Sequence, residues 1–204
     1  MKPPSTAPVL QLRIHLSDGS VESFVQADEA KAQQIWDSVD PVRLFTQQRL
    51  VVAATHSKSV FVCSEIVRLD ILEQCFRCWE FPGGYADVVE LSAQDFRERA
   101  HLDEPALMPE REKPTPVGDL LVSFLKLNLR NHSPIHLMVE IPVKLPAESQ
   151  AFMQFLLSKT ALHMRLADGG VGVVNLAHLA GYTVYPGVAQ VPGDSWLAEP
   201  AMKR

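Results

Sequence analysis

The sequence lacks the features of an exported or membrane-spanning chain. Only three of its 204 residues are cysteine, an odd number that cannot all pair within one chain. No stretch approaches the roughly 18 consecutive apolar residues that a membrane-spanning helix needs. Residues 1–8 carry one charged side chain and no apolar core, unlike a signal peptide. These absences predict a cytoplasmic protein with free thiols and no membrane partner.

An excess of basic residues is also missing. Nineteen lysine and arginine residues stand against twenty-four acidic ones, which gives a net charge of −5, and no run of basic side chains occurs. Nucleic acids and anionic lipids attach to positively charged surfaces, so this composition argues against both. The partner predicted from the sequence is another protein or a second copy of this chain.

The motifs of common active sites are absent as well. No glycine-rich loop leads into Lys-Ser or Lys-Thr to hold a phosphate, and no Gly-x-Ser-x-Gly nucleophile elbow occurs. The seven histidines show no metal-ligand spacing. His15, His136 and His163 fall on the polar phase of predicted strands, where exposure to solvent is expected. We therefore predict no cofactor, no metal site and no catalytic residue, and we favour a non-enzymatic function.

What the sequence does contain is a repeated pattern, in residues 10–71 and again in 125–184. Alternating apolar residues and turn signals predict the order strand, strand, helix, strand, strand in each stretch. Matching positions stay roughly in step; for example, Val171 lies 111 residues after Val60. The sequence therefore predicts an α+β fold of two similar mostly-β units, joined by an aromatic bridge and a Pro-rich linker.

The same patterns divide the chain into segments. The first unit with its bridge is predicted to span 9–91, and the second unit 117–190. A short helix and a linker with four prolines occupy 92–116. The segments 1–8 and 191–204 are predicted to be loose tails.

Local signals predict turns, helix starts and a core. Asp18-Gly19 predicts a tight hairpin turn, because such a turn requires positive φ. Asp28 and Ser92 each precede a helical pattern and are predicted N-caps. The inward phases of the strands and helices predict a set of buried side chains. They are Leu12, Ile14, Ile35, Val51, Val62, Leu69, Leu127, Leu129, Met153, Leu157, Met164 and Val173.

The densest group of aromatic residues lies in the bridge between the two units. Trp79, Phe81 and Tyr85 surround a Pro-Gly-Gly turn, and Trp196 lies in the second tail. Tryptophan and tyrosine are favoured anchors in pockets and protein interfaces. We predict that these four residues bind a partner or form a homodimer. The alternative is that the bridge packs as a wedge between the two units.

Two other hypotheses remain open. Cys75 and Cys78 have the spacing at which two sulfur atoms can share a metal or form a redox disulfide. A zinc site usually needs a second pair, however, and Cys63 and His56 are the nearest additional candidates, so three free thiols are the simpler interpretation. The third hypothesis is small-ligand binding in a cleft between the units. As a whole the sequence favours a soluble binding or scaffold protein that forms a homodimer.

Overall fold

The computed structural model describes residues 9–73, 87–102, 120–142, 155–185 and 196. This part of the chain is a mixed α+β protein dominated by sheet, with eleven strands and only short helices. None of the described helices is long and apolar enough to cross a membrane. The α+β class predicted from the sequence is confirmed. The repeat stays a prediction, and the aromatic bridge lies outside the described residues.

The first half of the chain forms two hairpins with helices between them. The turn of the first hairpin is the one predicted at Asp18-Gly19, and Gly19 has a φ of +88°. A three-residue 3-10 turn, Cys63–Glu65, joins the second hairpin to the next strand. The elements are β1 (Leu10–Leu16), β2 (Val21–Gln26), α1 (Glu29–Ser38), α2 (Pro41–Leu44), β3 (Arg49–Ala53), β4 (Lys58–Val62), β5 (Ile66–Glu73), β6 (Asp87–Leu91) and α3 (Ala93–Arg99).

The second half again contains two hairpins. Residues 155–157 are helical and precede the second of these hairpins. Another three-residue 3-10 turn, Leu176–His178, joins that hairpin to the last strand. The strands are β7 (Leu120–Leu129), β8 (Ile135–Pro142), β9 (Ala161–Arg165), β10 (Val171–Asn175) and β11 (Leu179–Tyr185).

The helices begin where their capping residues stand. The Asp28 carboxylate accepts a hydrogen bond from the backbone N–H of Lys31 at 2.9 Å, and the Ser92 hydroxyl accepts one from Asp95 at 3.0 Å. Each bond satisfies an amide that has no partner within the first helical turn. Both predicted N-caps are confirmed.

Nine strands form one sheet in the order β11-β7-β8-β6-β9-β10-β5-β1-β2, and β3 and β4 form a separate hairpin. Neighbouring strands pair antiparallel except β6 and β9, which are parallel. The hairpin of β9 and β10 is inserted into the middle of this sheet, where β10 pairs with β5. The two halves of the chain therefore share one sheet.

The buried side chains form two clusters, one on each face of the region around β10. Val174 belongs to the cluster built mainly on β7, β8 and β9, whereas Val173 belongs to the cluster of β1, β5, α1 and the β3–β4 hairpin. Adjacent residues of one strand point to opposite faces, so β10 contributes to both clusters. This explains why all five of its residues are buried.

Six of the twelve residues that the sequence predicts for the core are confirmed as buried. The residues found buried as predicted are Ile14, Leu69, Leu127, Leu129, Met164 and Val173. Leu12, Ile35 and Leu157 are partly buried, and Met153 lies outside the described residues. The prediction is wrong for Val51 and Val62, which are 49% and 52% exposed.

The error in β4 is a shift of phase by one residue. Phe61 and Cys63 face the core, so Val62 faces outward. The expectation for His163 is also wrong, because this side chain is only 7% exposed. β9 lies inside the sheet between β6 and β10, and both of its faces are covered.

Candidate functional site

Of the four residues predicted to bind a partner, the structure describes only Trp196. Trp79, Phe81 and Tyr85 lie outside the described residues, as do Cys75 and Cys78. Trp196 is 96% exposed. This exposure leaves the indole ring available to a partner.

Cys63, the third thiol, belongs to the core. It is fully buried and free. Burial raises the pKa of this thiol above its ordinary value, against a smaller opposing effect of its hydrogen bond with Gln47. A neutral, inaccessible thiol is a poor nucleophile and metal ligand. No group of three or more potential metal ligands occurs in the part of the chain that the structure describes.

One surface feature of the described residues is an apolar face on the β3–β4 hairpin. Val51 and Val60 lie opposite each other in this hairpin, and Val62 lies on the same face two residues further along β4. Val51, Val60 and Val62 are each about half exposed, at 49%, 48% and 52%. The opposite face of the hairpin is turned inward, where Phe61 meets Phe24 with ring centroids 5.8 Å apart.

Two strands end the large sheet, and each has an edge without a paired strand in the described ranges. They are β11, which pairs with β7, and β2, which pairs with β1. β11 exposes Tyr182 by 46%, and β2 exposes Val21 and Val25 by 48% and 67%. β4 has an open edge too, because among the described strands it pairs with β3 alone. Open edges with apolar side chains are places where another strand can add.

A second feature is an ionic cluster on β1, β5 and β6, in which Asp70 is buried and its three partners are partly buried. Asp70 is 2% exposed and bonds His15 Nε2 through Oδ2 at 3.0 Å. Arg68 donates to Asp70 Oδ1 at 2.5 Å and forms a two-bond pair with Glu90, at 2.6 and 2.8 Å. Arg68 thereby connects β5 to β6, two strands that are separated by β9 and β10 in the order of the sheet.

The cluster is electrostatically satisfied. Burial alone would raise the pKa of Asp70, but the hydrogen bond from His15 and the charge of Arg68 hold it below its usual range. Burial opposes the charge of Arg68, yet Glu90 and Asp70 raise its pKa above the ordinary value. Every buried side-chain nitrogen or oxygen in the described ranges has a hydrogen-bond partner. The arrangement suits a structural clamp better than an acid–base pair.

A cleft of about 400 Å³ opens beside this cluster. One wall carries His15, Arg68 and Glu90 from the first half of the chain, and the other carries Asn131 and His132 from the β7–β8 turn. This turn is tied to the β1–β2 turn, where His132 bonds the carbonyl of Leu16 at 2.8 Å and Asn131 donates to that of Ser17 at 3.1 Å. The cleft is therefore lined by both halves of the chain.

Sequence reasoning missed the ionic cluster. Arg68 and Asp70 alternate with the apolar residues Val67 and Leu69, and such a pattern ordinarily marks the solvent-facing side of a strand. The signal that could have identified them is an opposite-charge pair two residues apart inside a strongly apolar strand. Such charges are rarely buried unless they are paired.

The chain matches no protein-family model, no curated protein and no solved structure. Its function therefore has to be argued from its own geometry.

Proposed function

We propose that this protein is a non-enzymatic binding or scaffold module that associates with itself through its open strands, and that it consists of two copies of one mostly-β unit. A homodimer is the smallest such assembly. The observation that carries the proposal is the half-exposed apolar face of the β3–β4 hairpin next to an open strand edge. Apolar side chains that cluster on one exposed face are a common mark of an interaction site.

The pairing in the first half gives the pattern of the proposed unit. β1 lies between β2 and β5. Leu16 pairs with Ile66, and the next pair is His15 with Arg68, so that Val67 is left over as a bulge. An irregularity of this kind marks a register more specifically than regular pairing does.

The second half has the same pattern at a constant distance. β7 lies between β8 and β11. Leu129 pairs with Leu179 and Asn128 with Gly181, so that Ala180 is left over. These positions lie 113 residues after those of the first half (129 minus 16, 179 minus 66, 180 minus 67). We call two positions at this distance counterparts, and their agreement supports the proposal of a repeated unit.

Sedimentation of the whole chain over a wide concentration range tests the proposal. We expect a concentration-dependent shift from monomer to dimer or larger species. Trp196→Ala should weaken association by about 2 kcal/mol if this tryptophan is an interface anchor, as the sequence predicts. A chain that stays monomeric at every concentration contradicts self-association.

A second candidate function is binding of a small polar ligand in the cleft lined by both halves. The favouring observation is its lining, which carries the imidazoles of His15 and His132, the guanidinium of Arg68 and the carboxylate of Glu90 around about 400 Å³. A thermal-shift screen of small polar metabolites would test it. We expect a stabilising compound whose effect disappears in Ser133→Trp, which fills the cleft from the exposed turn. A hit that stabilises this variant equally well binds elsewhere.

A further inference from the structure

One strand pair inside the chain shows how the two halves meet. β10 pairs antiparallel with β5, so that Val173 lies opposite Leu69 and Val171 opposite Ile71. All four side chains are buried, with Val173 at 0% and Leu69 at 3% exposure. A strand that ends a hairpin in one half thus adds to the strand that follows the 3-10 turn in the other.

These two kinds of strand, the second strand of a hairpin and the strand after a 3-10 turn, each occur a second time in the chain. β4 is the counterpart of β10, since Lys58–Val62 and Val171–Asn175 both have five residues, end a hairpin and precede a three-residue 3-10 turn. β11 is the counterpart of β5, because Ile66 and Leu179 are the first residues after those turns. Within the described residues, neither β4 nor β11 has a strand at the edge that β10 and β5 use to join each other.

The register of the internal pair can be transferred to these open strands. The counterpart of Val173 is Val60 (173 minus 113), and the counterpart of Leu69 is Tyr182 (69 plus 113). The pair of Val173 with Leu69 therefore corresponds to a pair of Val60 with Tyr182. Val60 is 48% exposed and Tyr182 is 46% exposed. Two large apolar side chains that are about half exposed in the isolated chain therefore lie opposite each other in the transferred register.

We propose that β11 of one copy pairs antiparallel with β4 of a second copy, with Tyr182 opposite Val60. This rests on the proposed self-association and specifies its surfaces. The occupant is a second copy of this chain because the internal pair of β5 and β10 already shows that these two kinds of strand fit. Strand addition supplies main-chain hydrogen bonds, and the pair of apolar side chains fixes the register.

The contact joins two different surfaces, so each copy offers one of each. Such a head-to-tail contact either closes into a ring or continues as a chain of subunits. It differs from a symmetric dimer, in which one surface meets itself. Variants that disable different surfaces can therefore rescue each other in a head-to-tail contact, which a symmetric dimer does not allow.

The experiment uses two whole-chain variants, Val60→Asp and Tyr182→Asp, each of which disables one surface and leaves the other intact. We expect each variant alone to associate at least about tenfold more weakly than the wild type. An equimolar mixture should form a one-to-one heterodimer that grows no further, through β11 of Val60→Asp and β4 of Tyr182→Asp. Mass photometry or sedimentation resolves these species.

Val25→Asp is the matched control, because Val25 is 67% exposed on the open edge of β2. It should associate like the wild type. If the wild type associates but the mixture stays monomeric, or if either variant alone still associates like the wild type, the head-to-tail contact is wrong while self-association stands. A monomeric wild type overturns both. If an aspartate variant does not fold, as seen by circular dichroism, the serine substitutions at the same positions replace it in the same mixture.

Discussion

The hairpins β3–β4 and β9–β10 occupy matching places, each before a three-residue 3-10 turn, but they have different surroundings. β10, with the sequence VGVVN, is buried at every position, whereas β4, with the sequence KSVFV, alternates between exposed and less exposed positions. Both are valine-rich and both precede a 3-10 turn. The difference is the neighbour: β10 lies between β9 and β5, and β4 has β3 on one side. Burial here is set by which strands meet, more than by the strands themselves.

The largest expected effect concerns a charge pair that one half has and the other lacks. Asp70 on β5 is buried against Arg68 and His15, whereas its counterpart on β11 is the exposed Thr183. Asp70→Ala should lower the free energy of unfolding by about 3–5 kcal/mol, because it leaves the Arg68 charge, whose side chain is only 14% exposed, with less compensation. Thr183→Ala should cost less than about 0.5 kcal/mol. Urea titration measures both, and similar losses in the two variants would contradict the comparison.

A somewhat smaller effect is expected at the turn that inserts β10 beside β5. Gly170 has a φ of +91°, and a Cβ there would lie 2.2 Å from the carbonyl oxygen of Ile71. Gly169 has a φ of +90° but nothing within 4 Å of such a Cβ. Gly170→Ala should cost about 2–4 kcal/mol from strain plus the clash, and Gly169→Ala about 1 kcal/mol from strain alone. Equal thermal denaturation midpoints for the two variants would show that the close contact with β5 is unimportant.

The third prediction concerns pH and the strand β9. His163 lies opposite Val173 in the inserted hairpin, as the exposed Val51 lies opposite Val60 in the other. Burial lowers the pKa of His163 to about 4 from an ordinary value of 6.5. The unfolded chain therefore takes up a proton on this imidazole as the pH falls below 6.5, while the folded chain stays neutral there until about pH 4. The contribution of the neutral His163 to the free energy of unfolding is therefore complete above pH 6.5. It should be lost as the pH falls from 6.5 to about 4, by about 2–3 kcal/mol.

Chemical denaturation at several pH values measures that loss. His163→Gln should remove this contribution, so the free energy of unfolding should fall less between pH 6.5 and pH 4 than in the wild type. His56→Gln, in the exposed β3–β4 turn, is the control for losing a histidine elsewhere. If the free energy of unfolding depends on pH in the same way in all three proteins, the pKa of His163 is not lowered in the folded state.

The smallest effect is expected at Val60 in the dilute monomer. Val60→Ala should change the free energy of unfolding by less than about 0.5 kcal/mol, because its side chain is half exposed. Val173→Ala, at the buried counterpart, should cost about 2 kcal/mol. Measuring both at low concentration separates folding from association. A large loss for Val60→Ala in the monomer would indicate that another part of the same chain covers β4.

Local structure could be predicted from the sequence because it depends on adjacent residues. The Asp18-Gly19 turn and the caps at Asp28 and Ser92 are determined within a few positions, and all three are confirmed. The partners of strands are not local. Nothing in the sequence around Val171 indicates that the β9–β10 hairpin enters the main sheet whereas the β3–β4 hairpin does not.

The same limitation explains the errors of phase and alignment. The sequence match placed Val171 111 residues after Val60, whereas the strand boundaries align Val171 with Lys58, at 113. In a strand, such a comparison depends on both hydrophobic pattern and pairing, and only the pattern can be read from the sequence. Arg68 and Asp70 were missed for a related reason, since an alternating strand does not reveal that its polar face is covered by Glu90 on β6.

The pairing of β5 with β10 also sets a delay during synthesis of the chain. Ile71 emerges from the ribosome 100 residues before its partner Val171. At about 5–20 residues per second this leaves the edge of β5 uncovered for roughly 5–20 s, and contacts between distant residues slow the completion of folding further. We expect nascent chains stalled before residue 171 to be sensitive to protease in 66–73 and chains stalled well beyond it to be protected. Protection of that segment in the shorter chains would mean that β5 finds another cover first.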